Sequence, residues 1–557
     1  MHSREWKPVT QTPVSGPTIA SGLDVRVAGT ALLLAFLLAA PAARAQDATP
    51  PDPSAVTAAP AAADRIERAR ELADAKRFDD AASVLREVVA ADSSDASAFS
   101  LLARVLAWGR HYDESITAYR ALLARTPDDA FDRAGYARVL AWSGRHEASL
   151  REFRRSIAAD STNLETRVGY ARAMSWAGDL AGASREYLLT LKADSSYGDA
   201  WLGLSTVARW RGAPTASDDF IARAAARGAD SAGVSEESGA VRLALRPRTG
   251  LGWTIARERQ YADASTTPFT LEASGPFAQA GATLGRTLGL RAQASRLRLW
   301  ERRSALPTDT TLDYDLRASV FQGDASLLRF YPIQISVGAT YERLEGRSGR
   351  VLYPLRSDTD FLGMRGRVWG YWGRVTPSAS VSREFLPIKD RTTRTLLPGG
   401  VTNAELGLGW QWSPRWWANA AVSRGLYSDE NRRSGVRAGL SYRMHLGRPR
   451  VTLDYAWSYT DWDSASASYF TPLASVKHAA GVALDGWSDR LSLDYGVRYQ
   501  FSPIFSGNFP DLFIHAWSGY LDGVLFDCIP VGLEGSYSID NNQYTTWGLT
   551  ASASVRW

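Results

Sequence analysis

At 557 residues the chain is long enough for two or three domains. Its 64 basic and 59 acidic residues nearly balance, which argues against nucleic acid as a partner, since that would demand a clustered basic face. Cys528 is the only cysteine, so an intramolecular disulfide and a cysteine metal site are excluded, and it reads as a small apolar residue.

The first element in the chain is an export leader over residues 1–45. An apolar run from Val27 to Ala40 follows Arg26 and precedes Pro41 and the small-x-small triplet Ala43, Arg44, Ala45. This pattern predicts cleavage between Ala45 and Gln46. No later stretch reaches the roughly 18–20 apolar residues of a transmembrane helix, so any membrane insertion must use strands. Residues 46–63, rich in Ala, Pro, Asp and Thr, read as a flexible linker.

Residues 64–235 carry a 34-residue repeat. Trp108, Trp142, Trp176 and Trp210 fall at that interval, and the phrase from Ala103 to Trp108 recurs from Ala137 to Trp142 and, altered, from Ala171 to Trp176. Leu85, Tyr119, Phe153 and Tyr187 keep the same interval in a later register. A small residue, a bulky neighbour and an aromatic in a second helix describe a tetratricopeptide repeat, an α-solenoid built from helical hairpins. About four units fit between Asp64 and Tyr197, and a last unit, interrupted by Pro214, is expected to cap the stack before Ser235. The four tryptophans are read as packing residues between repeats. Such an array offers its concave face to a protein partner or acts as a spacer.

From residue 240 to 557 the period changes from helical to strict alternation. Val451, Leu453, Tyr455, Trp457 and Tyr459 share one strand face opposite Thr452, Asp454, Ala456 and Ser458. Val436 to Leu446 and Leu491 to Phe501 repeat the pattern over the 9–11 residues that a tilted strand needs to cross a bilayer. Short turns are expected at Ser413-Pro414, at Leu446 to Pro449 and at Asp485-Gly486, and long polar loops at Glu301 to Thr310 and Lys389 to Thr402. Apolar faces that end in Trp or Tyr suit interfacial belts, and in lipid only a closed barrel leaves no unpaired edge. The expectation is an antiparallel transmembrane β-barrel of about 16 strands, or 14 if Pro268 to Leu290 is divided differently. In the last strand Trp547, Leu549, Val555 and Trp557 share the apolar face, the form of a terminal signal for barrel assembly machinery.

Asp313, Asp315, Arg317, Glu342, Glu405, Arg437, Arg443, Asp454, Asp494, Arg498 and Glu534 fall on the polar face and are expected to line a lumen. Asp313 and Asp315 lie two apart on one strand face, as paired carboxylates can. His445 is expected to face the lumen by alternation, and His478 to share a face with Val482 and Leu484. Neither they nor His515 sits in a catalytic motif and no Gly-x-Ser-x-Gly elbow occurs, so the chain is read as a non-enzyme with no cofactor or metal.

The order of leader, tetratricopeptide array, amphipathic strands and aromatic terminus resembles the YaiO family of outer-membrane β-barrel proteins. It is more distantly similar to exopolysaccharide export porins, whose helical arrays are longer. The resemblance implies a Gram-negative outer-membrane location with the repeats in the periplasm. The expected function is a transport or secretion conduit for envelope polysaccharide or a similar polar cargo. The alternative is a plugged barrel that anchors the repeat domain. Implied partners are outer-membrane lipid, the assembly machinery, a periplasmic protein on the repeats and polysaccharide.

Overall fold

The computed structural model describes residues 62–260, 269–303, 311–347, 349, 351–390, 392–466, 471–488, 492–525 and 529–557. The expected leader, the Ala45–Gln46 cleavage point, most of the linker and Cys528 lie outside these residues. A tetratricopeptide-like helical region over residues 62–245 precedes a closed antiparallel barrel of 16 strands.

The helices are α1 (Ala62–Asp74), α2 (Phe78–Ala91), α3 (Ala96–Trp108), α4 (Tyr112–Leu123), α5 (Ala130–Trp142), α6 (His146–Ala159), α7 (Leu164–Trp176), α8 (Leu180–Ala193), α9 (Gly198–Trp210), α10 (Pro214–Ala225) and α11 (Ser231–Leu245). They form because each unit carries its own start and stop chemistry at the repeat interval. Asp95, Asp129 and Asn163 cap α3, α5 and α7 by accepting backbone N–H bonds, which satisfies donors that a helix start leaves open. The turn after each odd helix needs a left-handed residue, which is Lys76, Arg110, Gly144, Gly178 and Gly212 in succession. Pro214 does not interrupt the last hairpin as expected. It starts α10 at the first helical position, where its missing N–H leaves no bond unmade.

Within the hairpins the tryptophans are unequally buried, and the Trp108 ring meets that of Phe78 in the preceding helix at 6.3 Å. Trp210 is buried, but Trp108 and Trp142 are 45% and 37% exposed. The close contacts come from the second aromatic register: Tyr119, Phe153 and Tyr187 are almost fully buried. Each lies against a glycine of the following helix, namely Gly135, Gly169 and Gly203, also spaced by 34 residues. A Cβ on Gly203 would sit 2.1 Å from the Tyr187 ring, so that helix pair closes only because the side chain is missing. Helices α1–α5 belong to one compact unit, and α6–α11 belong with the strands to another.

The strands are β1 (Arg248–Gln260), β2 (Phe269–Leu284), β3 (Leu288–Arg303), β4 (Tyr314–Leu327), β5 (Ile333–Gly346), β6 (Thr359–Gly370), β7 (Val375–Asp390) and β8 (Thr395–Gln411). They continue as β9 (Trp416–Tyr427), β10 (Arg432–Arg443), β11 (Arg450–Trp462), β12 (Ser475–Ser488), β13 (Leu493–Phe505), β14 (Leu512–Leu525), β15 (Ile529–Ile539) and β16 (Tyr544–Arg556). Every strand pairs with its chain neighbours, and β1 closes the ring on β16 from Arg248↔Arg556 to Gln260↔Tyr544. Closure removes both edges of the sheet. The end where β1 starts and β16 stops is called the near end, and the opposite one the far end.

Two connections differ from their sequence pattern. Asp485 and Gly486 lie inside β12, because Gly486 makes room for the Tyr495 ring of the paired strand rather than for a turn. The expected loop from Lys389 to Thr402 is mostly strand. β7 and β8 pair as far as Asp390↔Thr395, since Leu396 has a buried site to enter inside the barrel.

Candidate functional site

Alternation along the strands gives the barrel an apolar outside and a polar inside. Leu251, Leu362 and Leu406 on the outer face are each more than 60% exposed, an exposure that water would not reward but hydrocarbon would. Aromatic side chains gather toward both ends of this outer surface. At the near end Trp412 stacks on Trp416 with centroids 5.7 Å apart, and Trp416 meets Tyr442 at 4.6 Å. Toward the far end Tyr499, Phe501, His515 and Trp517 form a contact group. Amphipathic rings at two levels with aliphatic residues between them is the pattern of a membrane-spanning barrel.

The inside holds a cavity of about 1490 Å³. Glu405, Arg437, Arg443, Asp454, Arg498 and Glu534 line it. Arg437 donates to Glu405 at 2.7 Å, and Asp454 accepts from Ser441 at 2.6 Å while pairing with Arg498 at 2.9 Å. Glu342 and Asp494 share faces with cavity-lining residues of their own strands, Gln334 and Ser336 in β5 and Gly496 and Arg498 in β13. Three residues fall elsewhere. On β4 the even positions Tyr314, Leu316, Ala318 and Val320 are buried, whereas Phe321 is exposed on the outer face. Asp315 and Arg317 therefore share the outer face with Phe321, where Asp315 pairs with Arg298 and Arg317 with Glu345. Asp313 is not on a strand at all. It is buried at the bend before β4 and bonds Lys389 at 3.1 Å, so Asp313 and Asp315 are not a carboxylate pair.

The histidines divide similarly. His445 lies beyond the end of β10, in the turn to β11, with Nδ1 at 3.0 Å from the Pro449 carbonyl, rather than in the lumen. His478 and His515 sit on the outer face, where Nδ1 of each meets a tyrosine hydroxyl at 2.8 Å, from Tyr455 and Tyr499 respectively.

At the far end, inside the ring, an apolar cluster reduces the opening. Tyr314, Leu316 and Leu396 are buried with Leu271, Leu299, Tyr353 and Leu355 packed against them. Tyr353 and Leu355 come from the β5–β6 connection, which turns inward. It is held by the Tyr353 N–H to the Asp313 carbonyl at 2.7 Å and by the Leu396 N–H to the Pro354 carbonyl at 3.1 Å. Beneath it the Lys389 ammonium bonds both Glu301 and Asp313, all three largely hidden from water.

At the near end the hairpin turns of the second helical unit dock on the strands. Arg374 pairs with Asp179 at 2.9 Å, Gln411 donates to the Gly178 carbonyl, and Gln334 donates to the Arg211 carbonyl, the last two at 2.9 Å. Asp179 is only 1% exposed and also caps α8, so one carboxylate serves the helix and the docking contact. Gly178 matters twice: its φ is +82°, and a Cβ there would strike the Arg443 guanidinium.

Residues 72–142 match the family model described as tetratricopeptide repeat. Residues 72–142 thus carry tetratricopeptide repeats, and the helical region over 62–245 as a whole is tetratricopeptide-like. No curated protein matches the chain. Among solved structures, a bacterial polysaccharide outer membrane secretin is similar at 11% identity and a TM-score of 0.39, over 55% of this chain and 98% of that one. PilW, a type IV pilus biogenesis factor, is similar at 17% identity and 0.30, over 33% and 86%. A thermophilic tetratricopeptide protein of Thermus thermophilus is similar at 14% and 0.30, over 33% and 100%.

Sequence reasoning missed several arginines that dominate the cavity, among them Arg248, Arg291 and Arg365. Alternation in the last strand does set Arg556 on the polar face with Ser552 and Ser554. Arg365 lies in a segment whose glycines and arginines mask the period. The docking residues Asp179 and Arg374 had no local signal, because each is paired only across 195 positions of chain.

Proposed function

We propose that the protein is an exported outer-membrane barrel of the YaiO kind that serves as a conduit for envelope polysaccharide or a similar polar cargo. In this reading residues 1–45 are a leader removed between Ala45 and Gln46, and 46–63 are a linker. Residues 64–235 form a periplasmic repeat domain that recruits a protein partner, and 240–557 form the barrel. The near end then faces the periplasm, and the face of Trp547, Leu549, Val555 and Trp557 in the last strand is the feature read by the assembly machinery. One observation carries the reading: a large cavity with a polar lining inside a closed sheet whose outer face is apolar and belted by aromatics. A site of that polarity suits passage of hydrated groups. His478 and His515, bonded to tyrosines on the outer face, support a non-enzymatic role.

A second reading has its own support. The apolar cluster of Tyr314, Leu316, Leu396, Tyr353 and Leu355 narrows the far mouth, as a plugged barrel that anchors the repeats would require. Planar-bilayer recording of the full-length protein separates the two. Stepwise ion conductance is expected for the conduit, and a silent bilayer after verified insertion would leave only the anchor.

A further inference from the structure

The cavity carries an unbalanced charge. Among the described residues that line it, thirteen are arginines, none is lysine and six are acidic. The chain as a whole is nearly neutral, so this excess is local to the lumen. Part of it is neutralised in place, as where Arg437 meets Glu405 and Arg498 meets Asp454.

A group at the near end is not. Arg556 of β16 stands directly opposite Arg248 of β1, and Arg248 stands opposite Gly281 of β2, which is itself opposite Arg291 of β3. The glycine puts no side chain between the two arginines, so three guanidiniums follow one another across four strands on the lumen side. None of the three has a carboxylate within ion-pair reach among the described residues. Asp324, opposite Arg291 on β4, is engaged from the other side by Arg365 through two bonds of 2.6 and 2.8 Å. Like charges directly opposite in an antiparallel pair destabilise it, and an anion between them reverses the sign. Guanidinium presents paired N–H groups that match a carboxylate in two bonds. A water-filled channel lined by one sign of charge also concentrates the opposite ion. In the same lining, Arg367 lies 4.9 Å over Trp369 and Arg211 lies 4.6 Å over Tyr371, so flat aromatic faces accompany the charge.

Resting on the conduit reading above, we propose that the lumen selects anions and that its cargo is an acidic glycan, whose carboxylates step along Arg556, Arg248 and Arg291 while its rings meet the lumen aromatics. Full-length protein in a planar bilayer under a KCl gradient tests this. A reversal potential displaced toward the chloride equilibrium value is expected. Oligogalacturonate added on the near side should block the current, and a neutral maltooligosaccharide of equal length should not. The triple variant Arg248→Gln, Arg291→Gln, Arg556→Gln, checked for insertion by heat-modifiable mobility, should weaken the oligogalacturonate block by about tenfold or more. Conductance with cation preference, or equal block by both sugars, overturns the anionic cargo and leaves the conduit standing. A silent wild-type bilayer overturns the conduit, and this proposal with it.

Discussion

Gly203 and Asp132 show how much single atoms decide in the repeats. The Tyr187 ring occupies the space a Gly203 side chain would need, and both belong to buried helix faces with little room to relax. Gly203→Val is expected to destabilise its unit by about 1–3 kcal/mol through overpacking, read as a lower melting temperature by circular dichroism. Gly239, inside α11 with open space around its Cβ position, supplies a control whose alanine variant should melt no lower than the parent. Asp132 is buried on α5 and accepts a 2.5 Å bond from the Ser100 hydroxyl. Burial raises its carboxyl pKa, and the Ser100 bond opposes that only in part. The folded state therefore holds this proton more tightly than the unfolded state. Its stabilising contribution is complete below the unfolded carboxylate value of about 4 and fades as pH rises through the raised value. The first helical unit should lose stability as pH rises from about 4 through that raised value, and Asp132→Asn should flatten the slope in urea titrations. An unchanged slope would show that another group titrates.

At the scale of elements, the turns between odd and even helices do two jobs. They reverse the chain, and in the second unit they carry the contacts that hold helices to strands. Asp179→Ala should cost about 1 kcal/mol in lost capping of α8, and it also strips Arg374 of its carboxylate. The measurement is hydrogen exchange. Faster exchange is expected both in α8 and in the β6–β7 turn that holds Arg374, whereas a purely local cap loss would change α8 alone. His146 at the start of α6 gives the same interface a pH response. Burial first, and then the Arg450 and His445 charges, push its pKa down to about 4. The neutral form is favoured on folding, so the contact is intact above the ordinary histidine value near 6.5 and weakens as pH falls toward 4. Proteolysis of α6 should accelerate over that window and do so less in His146→Gln.

For the whole molecule, the strap across the far mouth sets how open the barrel is. Lys389 is the cation nearest to both Glu301 and Asp313, and breaking a buried ion group by removing one partner is strongly destabilising. Lys389→Met is expected to release the β5–β6 connection and raise single-channel conductance without loss of the barrel. Identical conductance would mean that the strap does not limit passage.

Much of this architecture was legible in the chain because it is periodic. A 34-residue interval and a two-residue alternation are local patterns, and each dictates an element whose partner is the next copy or the next strand; hence hairpins, strand order and closure followed from sequence. Asp315 and Arg317 were misassigned because alternation separates two faces without saying which one is inside, and on β4 an apolar far mouth inverted the usual polarity. The arginine row, the inward strap and the Asp179–Arg374 contact join residues remote in the chain through ring closure and docking. Pairwise meetings of that kind leave no trace in neighbouring residues, so only the tertiary structure decided them.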